Sequence, residues 1–165
     1  MSAEAELPSI DEVPLIVRRE IEARILAPFV EALGRRFGRE AVVEILRETI
    51  ARIAREQGGQ AAAACGGQDL AAFKKLTDKW RQGGALELAV LQQDPTRYEF
   101  DVTRCRFAEM YARLGIPELG EVLSCNRDFN ASEGFNPHLK LTRTQTIMGG
   151  ADHCDFRYKL GEQSP

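Results

Sequence analysis

The residue order predicts an α+β domain, with N-terminal helices packed on an antiparallel sheet built from two hairpins with two intervening helices. Three observations carry this. Apolar residues recur three or four positions apart through the first half of the chain, and beyond residue 84 the period drops toward two. The period-two segments come as hairpins, without the regular βαβ alternation that builds a parallel sheet. At 165 residues and 44 % hydrophobic content, the chain has the size of one domain, 1–165, and enough apolar material for a core without covalent staples. The ends, 1–9 and 161–165, are expected to be flexible.

From Ile10 to Phe37, the residues Val13, Ile16, Ile21, Ile25, Phe29 and Leu33 recur at helical spacing with charges between them, which predicts an amphipathic helix with a kink point at Pro28. A second helix starts at Arg39, carries Val42, Val43, Leu46, Ile50 and Ile53 as its stripe, and fades through Ala61–Ala64 before Cys65 and Gly66-Gly67. Asp69 suits the N-cap of a third helix, Leu70 to Arg81, whose Leu70, Phe73, Leu76 and Trp80 lie three or four apart. Gly83-Gly84 ends it. Ala85 to Leu91 and Tyr98 to Val102 alternate on either side of Asp94-Pro95 and read as a hairpin. A short helix, Phe107 to Leu114, leads through Gly115-Ile116-Pro117 into a longer one, Glu118 to Ala131. Two final strands, Leu139 to Met148 and His153 to Leu160, flank the turn Gly149–Asp152.

Composition excludes several function classes. A net charge of -3 and the absence of a sustained basic cluster argue against a phosphate-backbone footprint, so no nucleic-acid partner is expected. No apolar run approaches the roughly 18 uncharged residues of a membrane span. The acidic start lacks the basic and apolar regions of a signal peptide, so a cytoplasmic location and no membrane partner are expected. Cys65, Cys105, Cys125 and Cys154 lie far apart with no CxxC pair, and read as free thiols. No HExxH, Walker, GxSxG or GxGxxG fingerprint occurs.

Chemistry is suggested where polar residues break the pattern. In the strand Leu139 to Met148, alternation puts Arg143 and Gln145 on the inward face with Leu139, Leu141 and Ile147. A buried guanidinium needs a carboxylate, either from the protein itself or from an acidic ligand. Pairing His153 with Met148 adds Cys154, Phe156 and Tyr158 to that inward face and turns His153, Asp155 and Arg157 outward. On the preceding helix, Val122, Cys125 and Phe129 share a stripe, with Asn126 and Asp128 within a turn of the thiol. Such a carboxylate either serves as a base or caps a helix at the surface. Glu133 is a second acid beside an apolar segment, and Cys105 closes the strand before Arg106. Each thiol also reads as core packing, the commoner role for a cysteine beside a phenylalanine such as Cys154.

An ordered set of segments carries a resemblance: Arg104-Cys105-Arg106-Phe107-Ala108-Glu109-Met110-Tyr111, Leu123-Ser124-Cys125-Asn126-Arg127-Asp128-Phe129, Glu133-Gly134-Phe135-Asn136-Pro137, Leu141-Thr142-Arg143-Thr144-Gln145-Thr146 and Gly150-Ala151-Asp152-His153-Cys154-Asp155-Phe156-Arg157. This set resembles the L-2-amino-thiazoline-4-carboxylate hydrolase family. The resemblance implies hydrolytic opening of a cyclic amidine toward a carbamoyl-cysteine, with no cofactor. More distantly, the tail resembles vinyl-reductase-type ligand-binding domains, some of which hold zinc with a Glu and three Cys. Cys105 and Cys154 match two of those zinc positions, whereas Arg143 and Thr146 stand at the others, so no metal is expected here.

Under this reading, Cys125, Cys105 or Cys154 attacks the ring carbon or assists water, with Cys125 favoured, and Asp128 or Glu133 handles protons. Arg143 clamps a substrate carboxylate, and Gln145, His153 and Asn126 complete the expected substrate contacts. The alternative is a binding or sensing module that holds a small acid without turning it over. A homo-oligomer is compatible with either.

Overall fold

The computed structural model describes residues 9–161. The expectation of flexible ends therefore falls outside the described residues, except at Ser9 and Gly161. Ser9 Oγ accepts from the Asp11 N–H at 3.3 Å, and Gly161 N–H donates to His138 O at 2.9 Å.

The first predicted helix is divided. A single 3-10 turn, Ile10–Glu12, precedes α1, Leu15–Phe37. Pro14 excludes the helical region for the residue before it, and Val13 is extended at ψ 123°. Pro28 sits inside α1 without ending it. Gly38, at φ 88°, is the whole connection to α2, Arg39–Cys65, and this left-handed joint suits glycine. In α3, Leu70–Trp80, the Asp69 carboxylate caps as expected, accepting from Ala72 N–H at 2.8 Å.

Strands β1, Leu86–Gln93, and β2, Arg97–Cys105, form the first hairpin. Asp94 Oδ1 fastens the turn by accepting from Thr96 N–H, Thr96 Oγ1 and Arg97 N–H at 2.8, 2.8 and 2.9 Å. Helix α4, Arg106–Arg113, follows directly. The predicted helix Glu118 to Ala131 is three pieces: α5, Pro117–Gly120, a π turn over Glu121–Cys125, and α6, Asn126–Phe135. The hairpin of β3, Leu139–Thr142, and β4, Cys154–Leu160, completes an antiparallel sheet in the order β1-β2-β4-β3.

The second hairpin differs from expectation in length. Strand β3 stops at Thr142, because Asp155 captures the backbone donors of Thr144 and Gln145, at 2.9 Å each, and the ladder cannot continue. Leu141 pairs with Tyr158, a register two residues from the expected one. A two-residue slip preserves faces, so Cys154, Phe156 and Tyr158 still point inward.

The inner face of the sheet presents Tyr98, Phe100, Val102, Cys154, Phe156 and Tyr158, all buried, to Phe73 of α3 and Phe135 of α6. Phe73 meets Phe135 and Tyr158 edge-on at 5.2 and 4.8 Å between centroids. A second cluster joins α1, α2, α4 and α5 around Ala23, Ile50, Met110 and Leu123. Here α1 departs from expectation. Its expected apolar stripe at Ile21, Ile25 and Phe29 is 53, 65 and 58 % exposed, whereas Arg19, Ala23 and Val30 form the buried face. Among the described residues, no helix is long and apolar enough to cross a membrane.

Candidate functional site

The loop that leaves β3 turns Arg143 inward, onto the first turn of α6. Its Nη1 pairs with Asp128 Oδ2, and Nη2 donates to Cys125 O at 3.2 Å. The π turn positions that carbonyl, since Asn126 N–H reaches back to Glu121 O and over-wraps the helix just before the site. The guanidinium lies between two rings, 4.9 Å from the Phe129 centroid and 5.2 Å from that of Phe156. Its side chain is 8 % exposed, and that of Asp128 is 20 % exposed. Sequence alternation thus placed Arg143 correctly on the inward face, and its partner is a carboxylate of the protein.

Burial pushes Asp128 up to about 6 against the opposing pull of Arg143. With a fifth of its surface in solvent and Arg143 on one oxygen, it remains mostly ionised at neutral pH while holding protons far better than an ordinary aspartate. None of the described residues donates to its other oxygen, Oδ1. Burial opposes the charge on Arg143, and the Asp128 carboxylate more than compensates, keeping the guanidinium charged.

Three thiols surround this pair. Burial, then the Asp128 charge, push the Cys125 thiol far up, with Arg143 only partly opposing. Cys105 caps α4, its sulfur accepting from Ala108 N–H at 3.4 Å, and burial pushes it up to about 11. Cys154, also raised by burial, accepts from Ile147 N–H at 3.1 Å. Burial thus disfavours the thiolate form of all three. Among the described residues, no three His, Cys, Asp or Glu side chains gather in an arrangement able to hold a metal.

The remaining expected residues lie elsewhere. Glu133 is on the solvent side of α6, paired with Arg55 at 2.8 Å. Asn126 fastens α6 to α2 by donating to Arg47 O at 3.0 Å. Gln145 sits in the loop, not on the sheet, and donates to His153 O at 3.2 Å. His153 lies 2.6 Å from Asp152 on the outer side, where Arg157 pairs with Asp101 at 2.7 Å. An open cleft of about 430 Å³ has Arg143, Gln145, Thr146 and Glu121 in its wall.

Two features escaped sequence reasoning. One is a buried cluster in which Arg19 and Arg127, 6 and 8 % exposed, share Glu22 at 2.6 and 3.3 Å. Burial and the Arg19 charge lower Arg127 to about 10. The signal was available in the spacing of Arg19, Ala23 and Val30, which lie on one helical face. The other is the Tyr158 hydroxyl, fully buried and without a hydrogen-bond partner among the described residues.

Fold and site together define an α+β domain in which Arg143, paired with Asp128, stands in the wall of an open cleft. Over residues 18–158 the chain matches the family described as L-2-amino-thiazoline-4-carboxylic acid hydrolase, and it belongs to that family. The ordered segments from Arg104 to Arg157 that carried the resemblance all fall inside this match. No curated protein matches the chain.

Proposed function

We propose that the protein hydrolyses a small carboxylate-bearing ring of the amino-thiazoline type, and that Asp128 is its general base. The observation that carries this reading is the state of Asp128, a carboxylate with raised proton affinity, one oxygen fixed by Arg143 and the other open. A base with a pKa near the working pH can both remove and return a proton. A water at Oδ1 gives one proton to Asp128 while its oxygen bonds to the ring carbon between nitrogen and sulfur, and the C=N π pair moves onto nitrogen. The ring C–S or C–N bond then breaks with its electron pair leaving on the departing atom, which takes the proton from Asp128, while the new C–O bond becomes the carbonyl and the water's second proton passes to the nitrogen that took the π pair. Arg143 orients the base and, from the cleft wall, draws the substrate carboxylate.

This reading transfers the chemical role from Cys125 to Asp128, since a buried thiol beside a carboxylate is poorly disposed to ionise. Cys105 and Cys154 serve as packing, and Glu133, Asn126 and His153 stay outside the chemistry. We further propose that the active form is a homo-oligomer of two copies joined through α1. Its exposed row Val17, Ile21, Ile25 and Phe29 presents about 400 Å² of apolar surface, half of the roughly 800 Å² per partner of a stable interface.

Incubating the protein with thiazoline, cyclic amidine and lactam carboxylates, with products detected by mass, tests the function. Ring-opened product from a thiazoline carboxylate supports it. Retention of the acid without product would favour a binding module instead.

A further inference from the structure

The wall of the 430 Å³ cleft carries both signs of charge. Arg143 and Glu121 stand in it with Gln145, Thr146 and Gly149. They are not each other's partners, since Arg143 pairs with Asp128. A smaller cleft of about 370 Å³ beside Cys105 offers the contrast, because the base and the acid in its wall, Arg104 and Glu109, bind each other at 2.8 Å. There the charges are satisfied within the protein. In the larger cleft a donor and an acceptor of opposite charge are both available to a ligand.

Arg143 gives one N–H to Asp128 and one to the Cys125 carbonyl, and a guanidinium has five, so donors remain for an anion. Glu121 is exposed at the start of the π turn, and the neighbouring loop leaves room beside its carboxylate. A Cβ on Gly149 would stand 3.2 Å from Glu121 Oε1 and 3.1 Å from Thr146 Oγ1, so glycine there keeps both oxygens from being crowded. The Gly149 N–H donates to that Thr146 hydroxyl at 2.9 Å and fixes the loop in this position. A ligand that satisfies both charges has a carboxylate at one end and an N–H donor at the other. The family description names such a molecule, an amino group at ring position 2 and a carboxylic acid at position 4.

We infer that Glu121 is a specificity-determining residue, whose carboxylate accepts from the exocyclic amino group of a 2-amino ring acid while Arg143 holds the acid's carboxylate. This rests on the proposed function and extends it from one end of the ligand to the other. The same negative charge discriminates against a ring acid without the amino group, which brings an anion into the cleft and gives Glu121 nothing to accept.

The test is calorimetry with 2-aminothiazole-4-carboxylate and thiazole-4-carboxylate, aromatic rings that resist hydrolysis and differ only in the amino group. Wild type should bind the amino probe about tenfold tighter or more. Glu121→Gln should lose about tenfold in affinity for the amino probe and bind the plain thiazole as well as wild type or better, at an unchanged melting temperature because the side chain is exposed. Gly149→Ala, which removes no polar group and crowds Glu121 Oε1, should weaken the amino probe as well.

A wild-type protein that binds neither probe or does not distinguish them would overturn the inference. So would a preference that survives in Glu121→Gln, or amino-probe affinity unmoved by Gly149→Ala. Turnover of L-2-amino-thiazoline-4-carboxylate reports separately: a preference that depends on Glu121 without product removes the hydrolase reading alone, and product with an undiminished preference in Glu121→Gln removes Glu121 alone.

Discussion

Asp128 and Arg143 need each other, and their individual loss should look different. Asp128→Asn keeps the shape of the base and removes its proton affinity, so kcat/KM should fall by a factor of about 10² to 10⁴ in steady-state assays. Wild-type kcat/KM should rise with pH through about 6, as the carboxyl loses its proton, and that limb should vanish in the variant. Stability carries the opposite sign. The folded protein holds this proton more tightly than the unfolded chain does, so the contribution of Asp128 is complete below the ordinary aspartate range and is lost as pH rises through about 6. Denaturation at pH 4 and pH 7 should therefore show a smaller loss for Asp128→Asn than for wild type. Arg143→Lys should raise KM, since an ammonium cannot bridge Asp128, the Cys125 carbonyl and a ligand in one plane.

At the scale of elements, the site depends on how closely α6 lies against α2. A Cβ on Gly58 would stand 2.2 Å from Ala131 O, and one on Gly134 would stand 2.0 Å from Arg55 O. Backbone touches backbone at both points, and neither carbonyl can give way as a side chain could. Gly58→Ala or Gly134→Ala should cost about 3 kcal/mol by chemical denaturation and reduce turnover as well, because α6 carries Asp128. Neither glycine reads as a contact in the sequence, where Gly58 looks only like a weakening of a long helix. The elements themselves were largely legible, since period and punctuation mark α2, α3, α4 and the first hairpin. Two misreadings share a cause. The Glu118 to Ala131 pattern hides a π turn over Glu121–Cys125, which re-phases the helix, so that Val122 is buried while Phe129, expected on the same stripe, is 41 % exposed. The strand Leu139 to Met148 was too long because Asp155, eleven residues beyond Thr144, takes the donors the ladder needed.

For the whole molecule, the α+β architecture followed from the change of period, while the orientation of α1 did not. A helix with apolar residues on two sides has two possible inward faces, and the smaller, Ala23 with Arg19 and Val30, packs inside because Glu22 and Arg127 complete the charge. The larger face remains outside, and it is the surface through which two copies are proposed to meet. Ile25→Glu should shift the mass seen by light scattering from two copies to one, with melting temperature unchanged.

The most direct test of the account follows the conversion of L-2-amino-thiazoline-4-carboxylate to a product one water heavier, by mass, for wild type, Asp128→Asn and Cys125→Ser side by side. The account predicts that wild type and Cys125→Ser open the ring at similar rates and that Asp128→Asn is at least about a hundredfold slower. Turnover that survives in Asp128→Asn and disappears in Cys125→Ser would contradict it.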